Sequence, residues 1–272
     1  MSFAQVLILG AIAGFTIFLG LPLARVPAQL PRLKVALNAV ATGILVFLLW
    51  DVLTHAWEPI DVALAHHNVG DALANGLVLA ATFAVGLLGL VWVDRYIAHH
   101  AAMRGGGPGA ATVDEVRASR WADSAVRLAV MIAVGIGLHN FAEGLAIGNS
   151  AAAGDISLAV LLVIGFGLHN ATEGFGIVAP LAGHRPSWGF LAVLGLIGGA
   201  PTFLGTIVGQ RFVNETVSIA FLGLAAGSIL YVVIELLAVL RKADMKSVAA
   251  WGIFAGLVLG FATDAIITAA GV

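Results

Sequence analysis

Long apolar stretches, not short alternating ones, dominate the chain. Eight runs, roughly 3–23, 34–55, 73–93, 125–149, 156–180, 188–209, 216–240 and 248–270, carry few charged residues. A hydrocarbon core of ~30 Å is crossed by ~20 apolar residues in an α-helix, so each run predicts a spanning helix. Strands of a membrane barrel would alternate polar and apolar positions over ~10 residues, which these runs do not do. The first run has no basic residue ahead of it and no short apolar segment leading to small-residue cleavage chemistry, so it reads as a helix and not as a signal peptide. The expected fold class is therefore all-α, a polytopic membrane protein of eight transmembrane helices forming a single transmembrane domain over 1–272.

Composition strengthens this picture. With 60% hydrophobic residues, 10% charged residues and a mean hydropathy of +1.03, the chain lies outside the range of water-soluble domains, and membrane lipid is the expected partner of most of its surface. The absence of cysteine excludes disulfides and thiolate metal ligation. A net charge of -2 suggests no partner by itself, and no nucleic acid is expected.

Charge matters through its placement. Arg25, Arg32 and Lys34 lie between runs one and two, and Arg95, Arg104, Arg117, Arg120 and Arg127 flank the link between three and four. Arg185 follows run five, and Arg241, Lys242 and Lys246 lie between seven and eight; only Arg211 falls in a link of opposite parity. Basic residues at helix ends stay on the cytoplasmic side, so both termini are expected outside the cytoplasm. The lack of any long polar domain favours a compact bacterial inner-membrane protein. The link over 96–124, with GGGPG at 105–109, reads as a flexible cytoplasmic loop. The outer link over 56–72 holds Glu58, Asp61, His66, His67 and Asp71 without Lys or Arg; it reads either as a cation-attracting loop or simply as a solvated acidic one.

Polar residues inside the runs carry the candidate chemistry. GIGLHNFAEGLAIG at 135–148 and GFGLHNATEGFGIV at 165–178 agree at eight of fourteen positions. On a helix, residues three and four apart share a face, so His139, Asn140 and Glu143 form one cluster and His169, Asn170 and Glu173 another. Each lies near the middle of its run, and a short link makes the two helices antiparallel neighbours, so the clusters can face each other. A carboxylate at mid-membrane costs at least ~2.5 kcal/mol on insertion scales, and two apposed carboxylates repel. A divalent cation held by two imidazoles and two carboxylates offsets both costs, and this is a ligand set for zinc and its first-row neighbours. The plainer reading is interhelical hydrogen bonding; the duplication at matched depth favours the metal. The motif glycines permit close helix packing and bending.

A second pair of segments resembles each other: ATGILVFLLWDVL at 41–53 and AAGSILYVVIELL at 225–237, with Gly43 and Gly227 each eight residues before an acid, Asp51 and Glu235. Helix four pairs with five, and two pairs with seven, both centred on one point of the chain. Helix two runs outward and seven inward. This predicts an inverted repeat, helices 1–3 and 6–8 around the 4/5 pair, a construction of transporters whose substrate site lies at the repeat interface near the midplane. It places Asp51 toward the outer mouth and Glu235 toward the cytoplasmic mouth as pathway carboxylates, or, on the plainer reading, as helix-end acids touching headgroups. Asp264 reads as interfacial.

HNFAEG and HNATEG in the fourth and fifth of eight helices resemble the HNxPEG pair of the ZIP (Zrt/Irt-like) metal transporters, and the likeness extends to LAAGSILYVVIEL in helix seven and Asp51 in helix two. The resemblance implies uptake of divalent metal into the cytoplasm, rigid-body alternating access, and often a homodimer. It implies a principal metal site of His139, Glu143, His169 and Glu173, with Asn140 and Asn170 facing a second site that shares the glutamates. Ala142 and Thr172 stand where the family usually has proline, so helix kinks must come from glycine or be milder. Pro201 in GLIGGAPTFLG stands in the stretch of helix six that commonly supplies another glutamate, and the second metal site is expected to be weak or absent. Only His99 and His100 represent the family's His-rich cytoplasmic tract.

The reading is thus a divalent-metal importer and not an enzyme, with zinc the first choice and iron, manganese, cobalt or cadmium compatible with the same ligands. An intramembrane metal-dependent hydrolase could use similar clusters to activate water, but HExxH is absent. A proton or alkali-cation carrier using the same carboxylates is the remaining alternative.

Overall fold

A computed structural model of the chain describes residues 2–25, 31–104, 124–152, 156–181, 184–211 and 214–269. Among these there is no strand. The long helices are α1 Phe3–Phe15, continued by 3₁₀ turns to Arg25; α2 Pro31–Ala65; α3 Val69–Arg104; α4 Ser124–Ala152; α5 Ile156–Val178; α6 Trp188–Gly209; α7 Glu215–Lys242; and α8 Lys246–Ala269. Seven of them, all but α5, are long and apolar enough to cross a membrane, α1 counted with its 3₁₀ extension. α5, with 23 residues, reaches ~35 Å at 1.5 Å per residue and matches them in length. The protein is an all-helical, multi-pass membrane protein.

Local sequence explains several helix ends. Ser2 and Gln5 cap α1 reciprocally, Ser187 accepts from the Phe190 amide at the start of α6, and Asn214 accepts from the Val217 amide at the start of α7, each satisfying an amide the first turn leaves without a helical partner. In α7, Glu215 opens and Arg241 and Lys242 close the helix, complementing the helix dipole. Two helices outrun the hydrophobic pattern. α2 continues through the acidic stretch that follows its apolar run to Ala65, and α3 begins at Val69 after a tight turn in which His67 adopts a φ of 58° and the Asn68 side chain accepts from the Asp71 amide. α3 likewise continues into the link before α4 as far as Arg104. Hydropathy marks where a helix must be dry, not where its backbone hydrogen bonds stop. The rest of that link, 105–123, lies outside the described residues.

The helices pack in two sets. α4 lies along α6, α6 along α1, and α1 along α5; separately, α2 lies along α8 and α7, and α7 along α3. Within each set, glycine lets backbones touch. A Cβ on Gly144 would strike the Thr202 carbonyl, one on Gly174 the Ile17 carbonyl, and Gly14 and Gly199 each face the other's carbonyl oxygen. In the second set Gly43 faces the Ile253 carbonyl and Gly227 the Phe83 carbonyl. The sets also meet, chiefly through α4 lying along α7; there a Cβ on Gly135 would stand 3.2 Å from the Ser228 side chain, and one on Gly176 3.9 Å from Ala41. α4 and α5 are continuous through their motifs, so the motif glycines serve close crossing and do not interrupt the helices.

Candidate metal centre

Side chains of the HNxxEG pair converge where α4 and α5 pass each other. His139 (4% exposed), Asn140 (0%), Glu143 (6%), Asn170 (0%) and Glu173 (1%) are all buried. His139 Nε2 lies 3.2 Å from Glu143 Oε1, the one-turn contact their spacing dictates. Glu173 on α5 lies close enough to Glu143 and His139 on α4 to interact electrostatically, and the Asn140 side chain is within hydrogen-bonding reach of it. The side chain of His169 lies outside the described residues. Among the described residues, no three of His, Asp and Glu stand together at metal-ligating distance.

Each motif asparagine is anchored to the backbone of a neighbouring helix. Asn140 Nδ2 donates to the Gly198 carbonyl on α6 and Asn170 Nδ2 to the Ala13 carbonyl on α1, both at 2.9 Å. The acceptors are available for identifiable reasons. Ala13 sits where α1 turns into a 3₁₀ segment, so its carbonyl is one of the last of the helix, and Thr16 Oγ1 donates to it as well. Gly198 lies within α6, three residues before Pro201, and its carbonyl oxygen has a second lone pair beyond the one its helical bond uses. With both amide nitrogens committed, the amide oxygens are the groups left for other work. Asn140 Oδ1, Asn170 Oδ1 and Glu143 Oε2 are buried without a hydrogen-bond partner. Buried acceptors left unpaired are costly, and a cation is the species that satisfies acceptors without needing donors.

A cavity of about 260 Å³ reaches this centre. His139 and Glu143 line it, with Asp51 and His55 of α2, Asn149 of α4, and Ser218 and Leu222 of α7. It therefore opens toward the face that carries the C-terminal ends of α2 and α4. Of the two carboxylates assigned to a pathway, Asp51 lines this cavity. Glu235 does not; it neighbours Tyr231 on the opposite half of α7, beside Asp94 and Arg127, whose side chains join α3 to α4 at 2.9 Å. Asp264, read as interfacial, lies near Asp51. Sequence reasoning missed His55, whose Nδ1 is 3.4 Å from Asp51 Oδ1. The i, i+4 spacing from Asp51 was the available signal. Asn149 and Ser218 gave none, being ordinary polar residues near helix ends.

Fold and centre together define a multi-pass helical membrane protein with a buried His/Glu/Asn cluster reached by a polar-lined cavity. Residues 111–268 match the family model described as ZIP zinc transporter, a segment containing both motifs and α4 through nearly all of α8. The chain belongs to the ZIP family, whose members are divalent-metal transporters and not enzymes. No curated protein matches it.

Proposed function

We propose that this protein carries divalent transition metal, zinc foremost, across a bacterial inner membrane into the cytoplasm, with both termini on the outer side. The metal is held between α4 and α5 by His139, Glu143, His169 and Glu173, while the oxygens of Asn140 and Asn170 supply weak neutral donors. What carries the reading is the placement of His139 and Glu143 on the wall of an open cavity, backed by buried Glu173 and two anchored asparagines. Two imidazoles and two carboxylates suit zinc and also accept iron, manganese, cobalt or cadmium, so selectivity among these rests on geometry and availability. With Pro201 in place of an acid on α6 and Asn140 bonded to the Gly198 carbonyl, one ion is held and a second site is weak or absent.

The geometry supplies the steps of transport. Asp51 and His55 concentrate cations at the mouth, because a cleft lined by acceptors raises the local concentration of the opposite charge. The ion sheds water onto His139 and Glu143 and neutralises the repulsion between Glu143 and Glu173. Release requires the opposite side to open. The two helix sets, each joined internally by glycine crossings that bring backbones into contact, support a rigid-body shift of α1, α4, α5 and α6 against α2, α3, α7 and α8. The recurrence of corresponding glycine contacts in α1 and α6, and in α2 and α7, supports the inverted repeat from which alternating access follows. A homodimer fits the family.

Uptake into proteoliposomes loaded with a metal-sensitive dye tests the proposal, comparing the unsubstituted protein with His139→Ala and Glu173→Ala. Strong uptake in the first and loss in both variants is expected. Equal uptake in all three would remove the central claim.

A further inference from the structure

The walls of the open cavity have counterparts on the other side of the centre. One residue correspondence relates the glycine contacts throughout the bundle. Gly144 meets the Thr202 carbonyl as Gly174 meets that of Ile17, and Gly205 meets Phe141 and Leu145 as Gly20 meets Ala171 and Phe175. Gly43 meets the Ile253 carbonyl as Gly227 meets that of Phe83, and Gly256 meets Val40 as Gly86 meets Leu224. Asn140 bonds Gly198 as Asn170 bonds Ala13. α1 thus corresponds to α6, α2 to α7, α3 to α8 and α4 to α5, with a constant offset along each helix.

Applied to the walls of the open cavity, this correspondence turns Glu143 into Glu173, Leu145 into Phe175, Asp51 into Glu235, Val52 into Leu236, and Leu222 into Asn38. Of these, Glu173, Phe175 and Leu236 are buried and Glu235 is half-buried. Asn38 is the polar surprise among them. It stands where the open side has a leucine, is only 8% exposed, and its Oδ1 is buried with no hydrogen-bond partner. It lies on the same helix as Asp51, ~20 Å along the axis in the other direction. An amide oxygen left unpaired in an apolar interface is costly and is explained if another state of the protein uses it.

We propose that Asn38 is a cation-binding residue of the release half of the pathway, meeting the divalent ion through Oδ1 after it leaves Glu173 and becoming accessible only when that half opens. This rests on the transport reading above. A neutral amide oxygen suits that place, since it replaces a water ligand without the charge that would trap the ion.

The chain has no cysteine, so single cysteines can be introduced directly: Asn38→Cys; Leu222→Cys on the open side; and Ala39→Cys, a buried control packed against α8. Membranes of defined orientation are treated with a hydrophilic thiol reagent, with and without a manganese gradient. Leu222→Cys should label at rest and Asn38→Cys slowly, and turnover should raise the Asn38→Cys rate severalfold while lowering that of Leu222→Cys. Asn38→Leu should cut uptake severalfold while leaving metal-dependent thermal stabilisation of the centre intact. If Asn38→Cys stays as unreactive as Ala39→Cys during turnover, or Asn38→Leu transports normally, the proposal is overturned. Absence of uptake by the unsubstituted protein would overturn the transport reading, and this inference with it.

Discussion

Asn140 and Asn170 make the same bond on opposite sides of the centre: each side-chain amide donates over 2.9 Å to a backbone carbonyl, Asn140 to Gly198 on α6 and Asn170 to Ala13 on α1. The two bonds fix how α4 and α5 sit against their neighbours and turn the amide oxygens away from those helices. Replacing Asn170 by Asp removes the donor and sets an anionic oxygen against the Ala13 carbonyl. Asn170→Asp should therefore lose about 1 kcal/mol of stability without metal, read as a lower midpoint of thermal unfolding in detergent, and recover much of it when zinc is added. An unchanged midpoint without metal would show that the bond contributes nothing.

Metal binding should be acid-sensitive. Imidazole and carboxylate ligate only when deprotonated, so protons compete with the ion for His139, Glu143, His169 and Glu173. Zinc affinity, measured by isothermal titration, should fall as pH drops. The dependence should be shallower in Glu143→Gln, which has one fewer site for which the proton competes. A pH-independent affinity would place the ion elsewhere.

His55 and Asp51 stand at the mouth and not at the centre. His55→Ala should raise KM for zinc severalfold and leave kcat nearly unchanged, because capture is weakened and translocation is not. Loss of kcat instead would put His55 inside the occluded site.

The glycines divide by what faces them. A Cβ at Gly174 would strike the Ile17 carbonyl, whereas one at Gly176 finds Ala41 at 3.9 Å. Gly174→Ala should destabilise the protein by about 1–3 kcal/mol, and Gly176→Ala should be near neutral. Equal effects would mean that backbone propensity, and not the crossing with α1, decides.

The Arg127–Asp94 bond joins α4 of one helix set to α3 of the other at 2.9 Å. If the sets slide, this bond breaks in the cycle. Asp94→Asn should shift the resting protein away from the state described here, lowering thiol labelling of Leu222→Cys. Asp94→Asn and Arg127→Gln together should cost less than the sum of the two, with a coupling of about 0.5–3 kcal/mol.

Much of this protein is determined by sequence alone, because in lipid the backbone must satisfy its own hydrogen bonds and spanning segments are forced to be helical. The number of helices and their order follow from run lengths, and the contact between His139 and Glu143 from their spacing. Where α2 and α3 end does not, since Ala65 and Arg104 lie beyond the apolar stretches and helices continue into water when capping and turns allow. Nor does the sequence reveal that His55 joins Asp51 on a cavity wall, or that Glu235 lies away from it, because burial depends on which faces of α2, α4 and α7 meet. The commitment of the asparagine nitrogens to Ala13 and Gly198 is likewise tertiary. It depends on a carbonyl freed at the end of one helix and the spare lone pair of another, on segments more than fifty residues away in the chain.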